Sequence, residues 1–164
     1  MYFMRKLMVT QAKNAERIYH ALEGLLVKLE PVWNKLGEHR VEKTLAFAEK
    51  NIKGLLFDCK MCGDCVLDKT GMSCPMNCPK QIRNGPCGGV RDNGNCEVKP
   101  EMRCVWIEAW RGAKKLDPHT TIIPDLEILE PVNQAIQGRS SWYKKYKEIL
   151  QNKQNKQVNQ NESN

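Results

Sequence analysis

Residues 57–104 read FDCKMCGDCVLDKTGMSCPMNCPKQIRNGPCGGVRDNGNCEVKPEMRC and hold every cysteine of the chain: Cys59, Cys62, Cys65, Cys74, Cys78, Cys87, Cys96 and Cys104. Eight thiols within 46 of 164 residues amount to two complete sets of four soft ligands. Four thiolates are the donor set of a structural zinc site and equally of a four-iron cluster. The stretch is also rich in Gly, Pro and Asn, so its backbone is dictated by turns and not by a helix or strand period. The fold class expected is therefore mainly α, built around an irregular, loop-rich cysteine block with a short hairpin and organised by two metal centres.

Spacing favours iron–sulfur. Cys59-x2-Cys62-x2-Cys65 places three thiols on one tight segment, as in the C-x2-C-x2-C run of bacterial ferredoxins, and two Cys-Pro pairs follow at Cys74 and Cys78. Zinc modules more often show two C-x2-C knuckles across a spacer, and no second knuckle is present here. A gap of eight residues before Cys74 departs from the ferredoxin run, so a ferredoxin fold is not expected. The alternatives are zinc at one or both sites, or a disulfide framework. The last needs an oxidising compartment. The chain opens MYFMRKLMVTQAKN, with no apolar signal core, and no apolar run nears the roughly 18 residues of a membrane span. A reducing cytoplasm is the expected location.

At 164 residues the chain has the length of one domain with tails. Its hydrophobic content of 41% allows only a small apolar core. Metal binding would then contribute to folding of the middle segment. The formal net charge of +7 is concentrated at the end, where residues 139–164 contribute +4. Two four-thiolate centres near −2 each would lower the total to about +3. That bias is too weak to argue for nucleic acid, and the block lacks the Arg- and aromatic-rich element of a nucleic-acid reader.

Four segments are expected. Residues 1–56 form an N-terminal helical hairpin. Its first helix spans 10–36, with Ala15, Ile18, Leu22, Leu25, Leu29, Val32 and Leu36 on an a/d seam. Pro31 kinks or breaks it and Gly37 stops it. Val41, Leu45, Ala48, Ile52 and Leu55 repeat the pattern in a second helix. The seam either packs within the hairpin or docks a partner chain. Residues 57–116 are the cysteine block, with a type I′ turn at Asn93-Gly94 and a closing helix from Pro100 to about residue 115. Cys104 falls near that helix's N-terminus, where the dipole favours thiolate. Trp106 and Trp110 are expected in the core. Residues 117–150 are an extended arm followed by a last helix, capped by Ser140 or Ser141 and holding Trp142, Tyr143, Tyr146, Ile149 and Leu150. Residues 151–164, QNKQNKQVNQNESN, are expected to be a disordered tail.

His20, His39 and His119 lack ligand spacing and are expected to be ordinary surface or packed histidines. No dinucleotide fingerprint, phosphate loop or nucleophile elbow is present. Ligands for two metal centres without a reaction site point to an electron-transfer part of a larger assembly, with no catalytic residue of its own. The rivals are a zinc-stabilised structural adaptor and a nucleic-acid-binding zinc protein.

The strings Asn84-Gly85-Pro86-Cys87-Gly88-Gly89, Cys96-Glu97-Val98 and Cys104-Val105-Trp106 resemble the methylene-tetrahydrofolate reductase C-terminal domain family, in its MetV-type small-subunit form found in acetogens and related anaerobes. The likeness spans roughly residues 45–150 and includes all eight cysteines. It implies two [4Fe-4S] clusters, with FMN only in a MetF-like barrel partner that reduces methylene- to methyl-tetrahydrofolate. It also implies ferredoxin or another electron-transfer module upstream. Related domains accompany corrinoid-linked methyl-transfer proteins as well. By spacing, Cys59, Cys62 and Cys65 share one centre, and their fourth ligand is Cys74, Cys78 or Cys104. The grouping adopted takes Cys104, leaving Cys74, Cys78, Cys87 and Cys96 for the second centre.

Overall fold

The computed structural model describes residues 2–85, 87–116 and 129–162. Six α-helices carry the fold: α1 Tyr2–Thr10, α2 Ala12–Lys28, α3 Glu30–Leu36, α4 Glu38–Phe57, α5 Val105–Ala113 and α6 Ser141–Glu162. Among the described residues there are two isolated β-bridges and no named strand. The mainly helical class with an irregular cysteine block is therefore correct.

The single helix expected over 10–36 divides at Leu29. Pro31 follows at the second position of α3, where its missing N–H costs no hydrogen bond. Gly37, at φ 83°, ends α3 as expected. The expected hairpin is a four-helix arrangement, because residues 2–10 form a further helix that packs on α4 and α5.

Helices α2, α4 and α6 share one core of Leu26, Val41, Leu45, Trp142, Tyr143 and Tyr146. Trp33 of α3 closes its edge by donating Nε1–H to the Leu26 carbonyl at 2.9 Å. Ser140 caps α6, its Oγ accepting the Tyr143 N–H at 3.1 Å. A second core of Ala12, Phe57, Leu67, Met72 and Leu116 joins the helices to the cysteine block.

The a/d seam is not the buried face of α2 and α3. Ile18, Leu25, Val32 and Leu36 are exposed, and α2 buries Ala12, Glu16, Glu23 and Leu26 instead. In α4 the buried series runs at strict four-residue steps: Val41, Leu45, Glu49, Lys53 and Phe57. Ile52 and Leu55 face outward. An apolar period misses this face because two of its five positions carry charge.

Further differences follow from local chemistry. The turn at Asn93-Gly94 is not type I′, since only Gly94 has positive φ (80°). The Gly94 N–H bonds the Arg91 carbonyl at 2.7 Å. This is a three-residue hairpin loop in which glycine supplies the left-handed residue. The closing helix starts at Val105 rather than Pro100, with Cys104 itself as its N-cap residue. Trp106 is half-buried, but Trp110 is exposed beneath Lys114 instead of lying in the core. Helix α6 continues to Glu162, so residues 151–162 are helical where a disordered tail was expected. Its Gln and Lys residues are good helix formers even without tertiary burial. The first part of the expected arm, with Pro118, Pro124 and Ile122 to Ile128, lies outside the described residues. Leu129 and Glu130 do lie on the cysteine block, pinned by Asn84 and Arg83.

Helix α5 meets the block at a glycine-on-glycine contact. A Cβ on Gly112 would fall 1.9 Å from the Gly71 carbonyl oxygen, whereas one on Gly24 of α2 meets nothing within 4 Å. Gly112→Ala should therefore cost about 1–3 kcal/mol through overpacking. Gly24→Ala should gain roughly 0.5–1 kcal/mol from helix propensity. Urea unfolding of the two variants checks this contrast, and equal midpoints would contradict the packing.

Candidate metal centre

The first four thiols converge because α4 ends where it does. Asp58 takes the left-handed conformation (φ 53°) and its N–H bonds the Gly54 carbonyl at 3.1 Å, a left-handed helix stop, while the Cys59 N–H reaches back to the Lys53 carbonyl at 3.2 Å. The loop beyond turns again through Met61 (φ 50°) and Gly63 (φ 77°), carrying Cys59, Cys62 and Cys65 around one hollow. All four described non-glycine residues with positive φ (Asp58, Met61, Met72 and Gln81) lie beside cysteines of the block. Left-handed backbone costs about 1 kcal/mol or more per such residue, and its clustering marks a functional site.

Cys74 completes this group. It begins the 3-10 turn Pro75–Asn77, and Asn77 ties that turn to the end of α4 by donating Nδ2–H to the Phe57 carbonyl at 2.7 Å. Cys59, Cys62, Cys65 and Cys74 line a common narrow cleft, together with Glu49, Arg83 and Ser141. Burial pushes the Cys59 thiol up to about 11, against the opposing Met61 amide and Lys53 charge. Burial, followed by the Cys65 and Cys59 thiolates, pushes Cys74 up to about 12.

Cys78 sits at the other end of the same 3-10 turn and faces a different environment. It packs with Cys96, Met102, Val105 and Ile82 in a third apolar cluster. The Cys96 N–H bonds the Met102 carbonyl at 2.9 Å and the Cys104 N–H bonds Gly94 at 3.0 Å, flanking the Asn95–Arg103 bridge. Alternation along this pairing puts Cys96 and Cys104 on one face as diagonal neighbours. Cys87 is half-buried, and its Sγ accepts the Gly89 N–H at 3.4 Å. Cys74 lies with the C-x2-C-x2-C trio, while Cys104 is held by the hairpin that carries Cys96. A four-residue separation hid the division, because the rigid 3-10 turn directs Cys74 and Cys78 to opposite sides.

The three strings of the cysteine motif meet in space. A Cβ on Gly85 would lie 2.2 Å from the Trp106 ring, and one on Gly89 would lie 2.1 Å from the Glu97 carboxylate. The Glu97 N–H bonds the Gly89 carbonyl at 3.1 Å. The glycines are thus needed for close approach, in addition to any role in turning the chain.

An apolar periodicity does not pick out the groups behind the first cleft, because they are charged. Lys53 is 1% exposed and donates to Glu49 Oε1 and Ser141 Oγ, both at 2.9 Å. Glu49 also accepts from the Ser140 hydroxyl at 2.8 Å, the Ser141 hydroxyl and the Trp142 N–H at 3.3 Å. Lys53 and the Tyr19 hydroxyl both feel the charge of Cys65. Burial works to lower the Lys53 pKa, but the Cys65 thiolate and Glu49 carboxylate outweigh it and hold the amine charged. Burial and the same thiolate raise the Tyr19 pKa. Arg83 Nη1 and Nη2 are buried without partners, on a side chain that lines the thiol cleft.

This surrounding fits an anionic metal–thiolate group. The donor set is four cysteines, an amide N–H reaches Cys59, and the two buried terminal nitrogens of Arg83 without partners belong to a side chain on the cleft. Among the described residues, no three Cys, His, Asp or Glu side chains converge closely enough to hold a single ion. Thiols around one zinc would stand about 3.8 Å apart, given Zn–S bonds of about 2.3 Å. At neutral pH Cys59 and Cys74 are protonated, so any metal must displace their protons. Since the thiolate alone alkylates, iodoacetamide labelling of both in the folded, metal-free chain should rise about tenfold per unit from about pH 7 to about pH 10. Peptide mass spectrometry follows each site, and a plateau near pH 9 would contradict the raised values.

No curated protein and no solved structure matches the chain. A family model described as methylene-tetrahydrofolate reductase C terminal matches residues 39–135. That span begins in α4 and takes in all eight cysteines, the hairpin and α5. It covers more than half of the sequence, and the chain belongs to the methylene-tetrahydrofolate reductase C-terminal family.

Proposed function

We propose that this chain is a MetV-type iron–sulfur subunit of a methylenetetrahydrofolate reductase, with a [4Fe-4S] cluster at Cys59, Cys62, Cys65 and Cys74 and another at Cys78, Cys87, Cys96 and Cys104. The observation that carries this is the first cleft: four thiols share one hollow with Arg83, whose two terminal nitrogens are buried without partners, and with the Glu49 that holds the buried Lys53, inside the segment that the reductase family model covers. Bound clusters would supply one-electron storage and transfer.

The chain's own residues prepare both positions. Left-handed turns at Asp58, Met61 and Gly63 bend the first loop around its hollow. Asn77 anchors the turn that separates Cys74 from Cys78. The Met61 and Gly89 amides donate to sulfur, which stabilises thiolate charge. The partner is a MetF-like barrel that binds FMN and folate, and the donor is ferredoxin or a comparable module. Among the described residues no helix is long and apolar enough to cross a membrane.

Anaerobically purified protein should be brown, bleach on reduction with dithionite, and regain colour when mixed with the oxidised FMN-loaded barrel partner. A colourless, zinc-loaded preparation would instead identify a structural adaptor. Cys74→Ser should remove the same EPR signal as Cys62→Ser, and Cys104→Ser should remove the other. Loss of one shared signal from Cys62→Ser and Cys104→Ser would contradict this division.

A further inference from the structure

The two thiol groups differ sharply in the charge placed behind them. Behind the first lies Lys53, buried and bonded to Glu49 and Ser141, both of which line the cleft. The Glu49 charge that balances it is spread over two serine hydroxyls and the Trp142 amide. Arg83 adds a guanidinium whose two terminal nitrogens are buried and unpartnered on the same cleft. The nearby carboxylates have cations of their own: Asp58 pairs with Lys60 at 2.8 Å and Asp64 with Lys144 at 2.9 Å.

The second group has no comparable support. Cys78 and Cys96 are packed among Met102, Val105 and Ile82. Lys80, the cation near Cys87, is a surface side chain already paired with Glu97. Arg103 is paired with Glu108 at 3.2 Å. Adding an electron to an anionic centre is favoured by a buried cation and by hydrogen bonds to its sulfurs, and is opposed by an apolar shell.

We propose that Lys53 and Arg83 hold the site of Cys59, Cys62, Cys65 and Cys74 at the more positive potential of the two, making it the one that delivers electrons to the flavin. This rests on the iron–sulfur assignment above. An electron that enters at the site of Cys78, Cys87, Cys96 and Cys104 then moves downhill. The external one-electron donor is oxidised, the first site is reduced, and no bond forms or breaks.

The test is an EPR-monitored redox titration of the anaerobically purified full chain, with Cys62→Ser identifying the first site's wave. That wave should be the more positive one. Glu49→Gln/Lys53→Met, which removes the buried pair together, should shift it to lower potential while the other wave stays in place. Arg83→Gln should do the same without touching the helical core, and Arg83→Lys should restore much of the loss. The proposal is overturned if Cys62→Ser removes the more negative wave, or if the variants keep both clusters and move neither wave or the wrong one. A preparation without iron and sulfide overturns the iron–sulfur assignment and this proposal together. Unmoved waves in a protein with two intact clusters overturn this proposal alone.

Discussion

The ion pair between Glu49 and Lys53 is the contact that locks α4 to the start of α6 beside the cysteine block. Both side chains occupy core positions of α4, between Leu45 and Phe57, where desolvation alone would be prohibitive. They persist because every charge is met. Lys53 finds Glu49 and Ser141, while Glu49 finds Lys53, both serines and the Trp142 amide. Removing either partner alone would leave an uncompensated buried charge, a cost of about 3–5 kcal/mol. The same contacts fix the start of α6 and the direction of the α4 terminus. A hydrophobic pair of similar size would hold the helices as well, but it would place no cation behind the thiol cleft.

Much of the arrangement could be read from residue patterns, and the failures have physical causes. Cysteine spacing identified the organising block, Gly37 marked a helix end, and Ser140 or Ser141 marked the start of α6. The buried face of α4 escaped because periodicity looks for apolar residues, and this stripe carries Glu49 and Lys53. A signal was nonetheless there: an i,i+4 Glu–Lys pair set in register with Val41, Leu45 and Phe57. The face of α2 was misjudged for the same reason, since Glu16 and Glu23 lie on its inner side. Cys74 and Cys78 could not be told apart by spacing, because the decision rests on one side-chain bond from Asn77 to a carbonyl 20 residues earlier.

The family motif also becomes intelligible as a set of contacts. Gly85 lies against Trp106, Gly89 against Glu97, and the hairpin bearing Cys96 holds the backbone of Cys104. Three strings separated in sequence are thus one surface in space. A side chain at Gly85 would have to displace the Trp106 ring, whereas one at Gly89 meets only the flexible end of Glu97. The block is therefore a scaffold whose two halves meet at a single 3-10 turn. That turn joins the two thiol groups by a short stretch of chain.

The central claim is that eight thiols, divided four and four, hold two iron–sulfur clusters. Iron, zinc and acid-labile sulfide per chain, measured on protein purified without oxygen, test it most directly. The account predicts about eight iron and eight sulfide with negligible zinc, as two four-iron cubes require. About two zinc per chain without sulfide would contradict it and leave a structural adaptor in place of an electron carrier.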